Sequence, residues 1–422
     1  MSKDYRISEA FEHKGYFGPP HCKEMIAGIL SYVPSEGIKL ELIGSIKDNI
    51  QDVLNKHEID CIWGELDNGL LVTLFHCYSS FSINTACSFI MERYSCNRLF
   101  VGANIESYSI PLYAEIQAEF RVLPFWCPPS AIESNTNLQW HTTTVKLNEL
   151  PRNIISVDIG NGRTLSLNES AGFNTDLVTH SETFFQSCFI SLNYATKQTL
   201  FDLCKDIELF CDFMSFASLK LQACSVIKII DEDRNIYAIY RPDIDESILP
   251  PKYVHDFLFS YEDIHDCFPL IISNWMNNSK SRPIISHLID SITFRRVFTE
   301  NDFLIIAQAL DGYNKRFLHI GGHFNNVLNG MFKKYENLTI FHSDVFNGDS
   351  IAATRNYFAH LADESSIKNN VVRNGKKLYD MTQMMRKLLI CYLMELVGFS
   401  IYDVEKITKK STNRFINKYG TN

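Results

Sequence analysis

Short runs of apolar or alternating residues, separated by turn residues, make up the first half of the chain. Turn sequences such as VPSEG, DNG and CPPS bound these runs, an arrangement that is typical of strands. Asn161 and Gly162 lie between two alternating stretches in IISVDIGNGRTLSL, which predicts a hairpin because both residues tolerate positive φ. A second hairpin is predicted from SVIKIIDEDRNIYAIYRP. The other strand runs are EMIAGILSY, GIKLELIGSI, GLLVTLFHCYSSFSI, NRLFVGANI and AEIQAEFRVLPFW.

Apolar residues recur at helical spacing in two regions. One helix is predicted inside the β-rich half, from TKQTLFDLCKDIELFCDFMSFAS. Its apolar positions are Leu200, Leu203, Ile207, Phe210, Phe213 and Met214. After Pro242 the helical period continues, first through two helices and then through a set of five. Thr299 is the expected N-cap of the first helix in that set, and Gly398 the expected end of its longest helix.

These patterns predict an α+β protein with three parts. Residues 1–243 are expected to form a β-rich domain, sandwich-like or jelly-roll-like, with one inserted helix. Residues 244–295 are expected to form bridging helices, and residues 296–422 an all-α helical bundle. A chain of 422 residues suits two or three domains of this kind.

Composition indicates an ordinary soluble protein, with 45% hydrophobic and 21% charged residues. A membrane helix needs about 20 predominantly apolar residues, and even MRKLLICYLMELVGF is interrupted by Arg386, Lys387 and Glu395. The opening MSKDYRISEAFEHKG has no apolar stretch of the kind found in secretion signals. The 12 cysteines include no C-x-x-C pair. We therefore expect a cytoplasmic protein with reduced, mostly buried thiols, no metal site and no membrane segment.

Charge is distributed unevenly along the chain. The net charge of −9 argues against a protein that coats nucleic acid indiscriminately. Residues 300–422 hold 16 of the 40 basic and 12 of the 49 acidic residues, and the part from Ser366 onward holds 11 basic and 4 acidic residues. This balance is compatible with a local phosphate-binding surface or, equally, with a solvated lysine-rich helix face.

The segment TRNYFAHLADESS contains a candidate catalytic constellation. Arg355 and His360 have the spacing R-x4-H, which Arg282 and His287 share, but only Arg355 is followed by asparagine. At about 100° per residue, Asn356 and His360 lie on one helix face, whereas Arg355 is about 140° away from His360.

These residue types suit cleavage of RNA without a metal. A guanidinium can hold a phosphate through two hydrogen bonds, and an imidazole can exchange protons near neutral pH. Asp349 or Ser350 is the expected cap of this helix, which would place Arg355 near an end that favours anions. The alternative is an ordinary helix surface with an exposed arginine, an asparagine and a hydrogen-bonded histidine.

Beyond these residues, the sequence resembles a known family. RNYFAH, in a helical C-terminal part, is similar to the R-N-x-x-x-H signature of HEPN ribonucleases. The opening HKGYFGPP and EMIAGILSYVPSEGIKLELIGSI look like the start of the N-terminal domain of the ApeA-like anti-phage HEPN proteins, and FLIIAQALDGYNKRF resembles the first helix of their HEPN domain. Together these segments are spread over nearly the whole chain.

The resemblance implies a function and a set of roles. Arg355 would bind the scissile phosphate, His360 would act as general base or acid, and Asn356 would orient His360 or the phosphate. The ribose 2′-hydroxyl would attack, leaving cyclic phosphate and 5′-hydroxyl ends, with no cofactor and no metal. The family implies at least a homodimer, host tRNA as the RNA that is cut in abortive anti-phage defence, and a phage-encoded trigger sensed by the β-rich domain.

One position departs from the family pattern. Asp311 follows QAL where a glutamate is expected, and as a shorter acid it would support the catalytic residues without touching the substrate. A second hypothesis therefore stays open, in which the chain is a non-catalytic module. Its β-rich domain would then bind a ligand, and its helical bundle would only dimerise or bind RNA.

Overall fold

A computed structural model describes most of the chain. The residues described are 4–46, 58–84, 89–137, 139, 142–148, 152–176, 178–231, 234–240, 256–292, 298–342, 346–360 and 369–410.

Strands occupy most of the described chain up to residue 239, and all pairings between them are antiparallel. They are β1 (Phe11–Gly18), β2 (Ile26–Val33), β3 (Gly37–Ile43), β4 (Glu58–Leu66), β5 (Leu71–Asn84), β6 (Phe89–Val101), β7 (Tyr113–Phe120), β8 (Ile132–Asn137), β9 (Thr142–Leu147), β10 (Arg152–Gly160), β11 (Arg163–Asp176), β12 (Ser181–Gln198), β13 (Cys224–Asp231) and β14 (Arg234–Ile239).

The strands β1 to β6 close into a barrel, because β6 pairs with β3 on one edge and with β5 on the other. The end of β6 also pairs with β14, and the sheet continues from there through β13, β7, β12 and β11 to β10. The predicted β-rich domain is confirmed. Its strands form one 12-stranded sheet, part of which is the barrel, where the pattern alone suggested two facing sheets. The strands β8 and β9 form a separate two-stranded sheet.

Both predicted hairpins are present. Asn161 and Gly162 link β10 to β11 with φ values of 56° and 68°, the left-handed conformation that a tight turn of this kind needs. The strands β13 and β14 pair as far as Asp231 and Arg234, and their connecting residues 232–233 lie outside the described part.

The predicted inserted helix and the helical C-terminal part are also present. The helices are α1 (Leu123–Trp126), α2 (Leu200–Ser218), α3 (Tyr261–Ile264), α4 (Phe268–Asn277), α5 (Arg282–Ile292), α6 (Glu300–Tyr313), α7 (Phe324–Lys333), α8 (Gly348–His360), α9 (Gly375–Val397) and α10 (Ile401–Lys410). A π-helical turn, Asn314–Leu318, follows α6, and short 3₁₀ turns occupy Ser279–Ser281 and Thr339–Phe341.

Two helix ends follow from their sequence. Thr299 caps α6, and its backbone N–H donates to Asp302 Oδ2 at 2.8 Å. Gly398 ends α9 with a φ of 113°, a conformation that glycine adopts without steric cost. Both predictions made from the sequence are confirmed.

A cluster of buried aromatic rings forms the core where α2 and α4 pack. The Trp275 ring stacks on Phe216 at 5.4 Å between centroids and meets the edge of Phe213 at 5.5 Å. Its indole N–H donates to Leu209 O at 2.9 Å. Trp126 adds a further edge contact to Phe213 at 5.7 Å. The polar atom of Trp275 is therefore satisfied inside an apolar environment, which makes this residue a well-fixed centre of the core.

The long helix α9 is the centre of the C-terminal bundle and packs on α6, α4 and α10. The Tyr313 hydroxyl of α6 donates to Tyr392 O of α9 at 3.1 Å. Arg386, which is buried, donates from Nε to Ser291 Oγ at 3.2 Å. These hydrogen bonds fix α9 against both α5 and α6.

The chain divides into two compact units. One contains residues 1–124, 128–208 and 223–245, and the other contains residues 125–127, 209–222 and 246–422. The first unit holds the strands and the second holds the bundle. The domain boundaries suggested by the sequence, after residues 243 and 295, stay predictions. Within the described part, no helix is both long enough and apolar enough to cross a membrane.

Candidate active site

The helix α8, which carries the candidate motif, is capped by Asn347. The Ser350 N–H donates to Asn347 Oδ1 at 2.9 Å. The prediction that Asp349 or Ser350 caps this helix is therefore wrong, because both side chains bind elsewhere. Asp349 accepts a hydrogen bond from Asn325 Nδ2 at 2.6 Å, and the Ser350 hydroxyl donates to Asn370 O at 2.6 Å.

One face of α8 packs against the bundle and fixes the helix in place. Ile351 and Thr354 are buried, and the ring of Phe358 meets the ring of Phe303 on α6 at 6.4 Å. Gly348 lies so close to α7 that a Cβ atom there would be 2.9 Å from the backbone oxygen of Asn325. The first turn of α8 therefore requires glycine, and the opposite face of the helix points away from α6 and α7.

Arg355 is held by two neighbours. Its Nη1 donates to Asn356 Oδ1 at 3.1 Å, and its guanidinium carbon lies 5.6 Å from the centre of the Phe324 ring at the start of α7. The guanidinium is half-buried in this position. Because a ring face leaves the N–H groups at the guanidinium edge available, Arg355 can still bind an oxyanion. No local pattern indicated Phe324, because it contacts Arg355 only after α7 and α8 have packed.

Asn356 and His360 lie on the exposed face of α8, about one helical turn apart. Among the residues that the structure describes, His360 has no hydrogen-bond partner. An imidazole in this state is accessible to a substrate. The structure thus brings Arg355 and Asn356 into direct contact and leaves His360 on the same exposed surface as Asn356.

Asp311 is placed differently. It is half-buried near the end of α6, and its Oδ2 forms an ion pair with Nζ of Lys315, one turn further along the chain, at 2.8 Å. Among the described contacts, none joins Asp311 to Arg355, Asn356 or His360. The role suggested for Asp311 stays a prediction.

A second feature is a cavity of about 690 Å³ in the strand-rich unit. It lies where β6 changes partner, between the pairing of Cys96 with β3 and the pairing of Leu99 with β14. Arg98 lines the cavity, with its guanidinium 4.8 Å from the centre of the Tyr240 ring and Nη2 donating to Glu208 Oε1 at 3.0 Å. Aromatic walls around a few convergent polar groups are typical of ligand sites.

Two family models match the chain. Residues 12–275 match ApeA N-terminal domain 1, and residues 312–401 match the Apea-like HEPN domain. The chain belongs to the ApeA-like HEPN family. No curated protein and no solved structure matches it.

Membership has direct consequences for the site. The HEPN match contains Arg355, Asn356 and His360, and it begins one residue after Asp311. HEPN domains are generally ribonucleases that commonly bind RNA and dimerise, so this family indicates a nuclease-type role in defence. The resemblance suggested by the sequence is confirmed at both ends of the chain.

Proposed function

We propose that this protein is a metal-independent endoribonuclease in which Arg355, Asn356 and His360 form the catalytic set. The observation that carries the proposal is the exposed imidazole of His360, about one turn from an asparagine whose amide oxygen holds the Arg355 guanidinium. This arrangement supplies a proton-transfer group and a phosphate-binding cation within two turns of the same helix.

The reaction is a transesterification within the RNA. The ribose 2′-oxygen attacks phosphorus, a new O–P bond forms, and the bond from phosphorus to the 5′-oxygen of the next nucleotide breaks. One imidazole takes the proton from the 2′-hydroxyl, and a protonated imidazole gives a proton to the departing 5′-oxygen. Arg355 offsets the negative charge that develops on the phosphate oxygens.

This chemistry supports a site built from two copies of the chain. The attacking and leaving oxygens lie on opposite sides of phosphorus during in-line displacement. A single His360 cannot be on both sides at once, whereas two α8 helices facing each other would supply one imidazole to each side. We therefore propose a homodimer that acts in the cytoplasm on host tRNA and is triggered by a phage-encoded protein. The family and the exposed face of α8 support this proposal.

A ligand-binding role for the strand-rich unit is the second candidate function. The cavity beside Arg98 favours it, because Arg98 and Glu208 face the same space as the side chains of Tyr108 and Tyr240. Such a role is compatible with the sensing function that the family implies for this unit, and also with the non-catalytic hypothesis. Cleavage of RNA separates the two hypotheses.

The ends of cellular RNA test the proposed function. Cells producing the wild type are expected to gain discrete 5′-hydroxyl ends, mainly in tRNA, after phage challenge, because transesterification leaves that end on the downstream fragment. Sequencing of RNA with 5′-hydroxyl ends measures this. Cleavage of the same RNA in lysate is expected to persist when EDTA is added.

The comparator is the Arg355→Ala/His360→Ala protein, made at the same level in the same cells. Its RNA profile is expected to equal that of cells without the protein. Identical profiles for the wild type and this variant, before and after challenge, would exclude the nuclease and leave the non-catalytic module.

Phe324 is expected to act as a positioning residue for Arg355. The Phe324→Leu substitution removes a contact between ring and guanidinium that is worth about 0.5–1 kcal/mol, so the cleavage rate should fall about 2- to 5-fold. Initial rates on the RNA identified in cells measure the effect. In an Arg355→Ala background the same substitution should change nothing further, because the group it positions is absent. Equal losses in both backgrounds would show that Phe324 acts only through general packing.

A further inference from the structure

The segment before α9 runs along the helix that carries the candidate site. Asn370 Nδ2 donates to Asp349 O at 3.2 Å, and the Ser350 hydroxyl donates back to Asn370 O at 2.6 Å. Two residues later, the Val372 N–H donates to Thr354 Oγ1 at 2.9 Å. Residues 370–372 are therefore fixed against the first half of α8.

The order of these contacts gives the segment a direction. Asn370 lies beside Ser350 and Val372 beside Thr354, so the segment advances toward the His360 end of α8. An extended chain rises about 3.3 Å per residue and a helix about 1.5 Å. Arg373, the next residue, therefore lies level with about Asn356.

The start of α9 and the end of α8 both contact the region where α6 begins. The ring of Tyr379, in the second turn of α9, meets the ring of Phe298 at 5.5 Å, just before α6 begins. Phe303, in the first turns of α6, meets Phe358 near the end of α8 at 6.4 Å. The start of α9 and the end of α8 are therefore both packed at the N-terminal end of α6.

This part of the chain is basic and exposed. Arg373, Lys376 and Lys377 are all exposed, and we call the two lysines the basic corner. Within the described residues, Lys376 and Lys377 have no carboxylate partner, and Asp380 is the one acidic side chain in the first two turns of α9. Lysines in the first turn of a helix are disfavoured by the helix dipole by about 0.3–1 kcal/mol each, so they do not stabilise α9. Their positive charge is available to a ligand.

Residues 370–372, which lead directly into the basic corner, flank the exposed face of α8 on one side. The helix α7 flanks the same face on the other side, at Arg355. Counted around the helix at about 100° per residue, the side covered by residues 370–372 is closer to His360 than to Arg355. A strand that crosses α8 with a phosphate between Arg355 and His360 passes over one of these flanks. The flank with the basic corner attracts phosphates, and the flank at α7 presents the Phe324 ring.

We propose that the basic corner binds the phosphates of the RNA strand next to the one that is cleaved. This inference rests on the proposed function, which gives the position of the cleaved phosphate. It identifies the part of the chain that would hold the neighbouring part of the RNA. Lysine and arginine contacts to phosphates release counterions, so they increase affinity in a way that falls with salt. The contact is independent of base sequence, because it reads the backbone alone.

Binding measured without cleavage tests this inference. The full chain with His360→Ala is titrated against a short fluorescein-labelled single-stranded RNA of mixed sequence, and fluorescence anisotropy is read at several salt concentrations. Adding Lys376→Gln and Lys377→Gln removes two phosphate contacts. The slope of log affinity against log salt should then become less steep by about 1.4, and binding at about 0.1 M salt should weaken about 10- to 30-fold.

The matched control carries Lys333→Gln and Lys406→Gln in the same His360→Ala chain. Both lysines are exposed on other helices of the same unit, so the net charge changes equally, and we expect the affinity and slope of the parent. Equal weakening in the two double variants, unchanged binding in Lys376→Gln/Lys377→Gln, or no RNA binding by the parent would each overturn the inference. Thermal melting of every variant shows that the chains are folded.

The failure of this inference and the failure of the proposed function are distinguishable. RNA binding that depends on the basic corner, with no cleavage by the wild type, would keep the inference and remove the nuclease. If cleavage is lost in His360→Ala but RNA affinity does not depend on Lys376 and Lys377, the nuclease proposal is supported and this inference is wrong.

Discussion

The substitution His360→Ala is expected to lower the rate of RNA cleavage by about 10²- to 10⁴-fold, the range that general acid–base catalysis by one side chain contributes. The loss should appear in the rate constant rather than in RNA affinity, since His360 transfers protons and Arg355 binds the phosphate. Initial rates on the RNA identified in cells, with equal lysate from phage-challenged cells added to each protein, measure the effect.

The same substitution should leave the free energy of unfolding unchanged within about 0.5 kcal/mol, because His360 is exposed and has no hydrogen-bond partner among the described residues. His323→Ala is the matched control, since this histidine is exposed in the same unit but lies outside the motif. Full activity of His360→Ala would remove the residue from the mechanism. A melting temperature well below that of the wild type would instead assign it a structural role.

The substitution Trp275→Ala is expected to lower the free energy of unfolding of the helical unit by about 3–5 kcal/mol. Trp275 is 1% exposed and contacts two other rings of the buried cluster. The substitution also removes the indole N–H that donates to Leu209 O. Chemical denaturation followed by circular dichroism measures the change, read from the transition that belongs to this unit.

Leu270→Ala on the same helix is the control for that experiment. Leu270 is 54% exposed, so its truncation should cost under about 1 kcal/mol. A Trp275→Ala protein that unfolds at the same denaturant concentration as Leu270→Ala would show that the aromatic cluster contributes little to the stability of the fold.

Elements with strong local patterns were predictable from the sequence. The hairpin at Asn161 and Gly162 depends on two residues that tolerate positive φ, and the helix that ends at Gly398 depends on periodicity and one glycine. The first strand, β1, was missed because FEHKGYFG mixes charged and apolar residues without clear alternation. The strand β4, which begins at Glu58, was missed for a related reason, because acidic residues interrupt its apolar run.

The candidate site was predictable in part. The motif residues could be named because Asn356 directly follows Arg355 and lies four residues before His360, on the same helix face. The cap could not, because Asp349 and Ser350 are good caps locally and only tertiary contacts to α7 and to residue 370 engage them elsewhere. The same limit applies to Phe324 and to residues 370–372, which contact α8 only once the bundle has packed.

The exposed imidazole of His360, which has no hydrogen-bond partner among the described residues, also has a consequence for protein concentration. Under the proposed pairing, one chain holds half of a catalytic centre, so activity depends on how often two copies meet. Where most copies are single, the number of complete centres grows with the square of the protein concentration. Under this proposal, a low concentration of the protein cleaves little of the cell's own RNA. A modest rise in its concentration or in its tendency to dimerise increases the cleavage rate steeply.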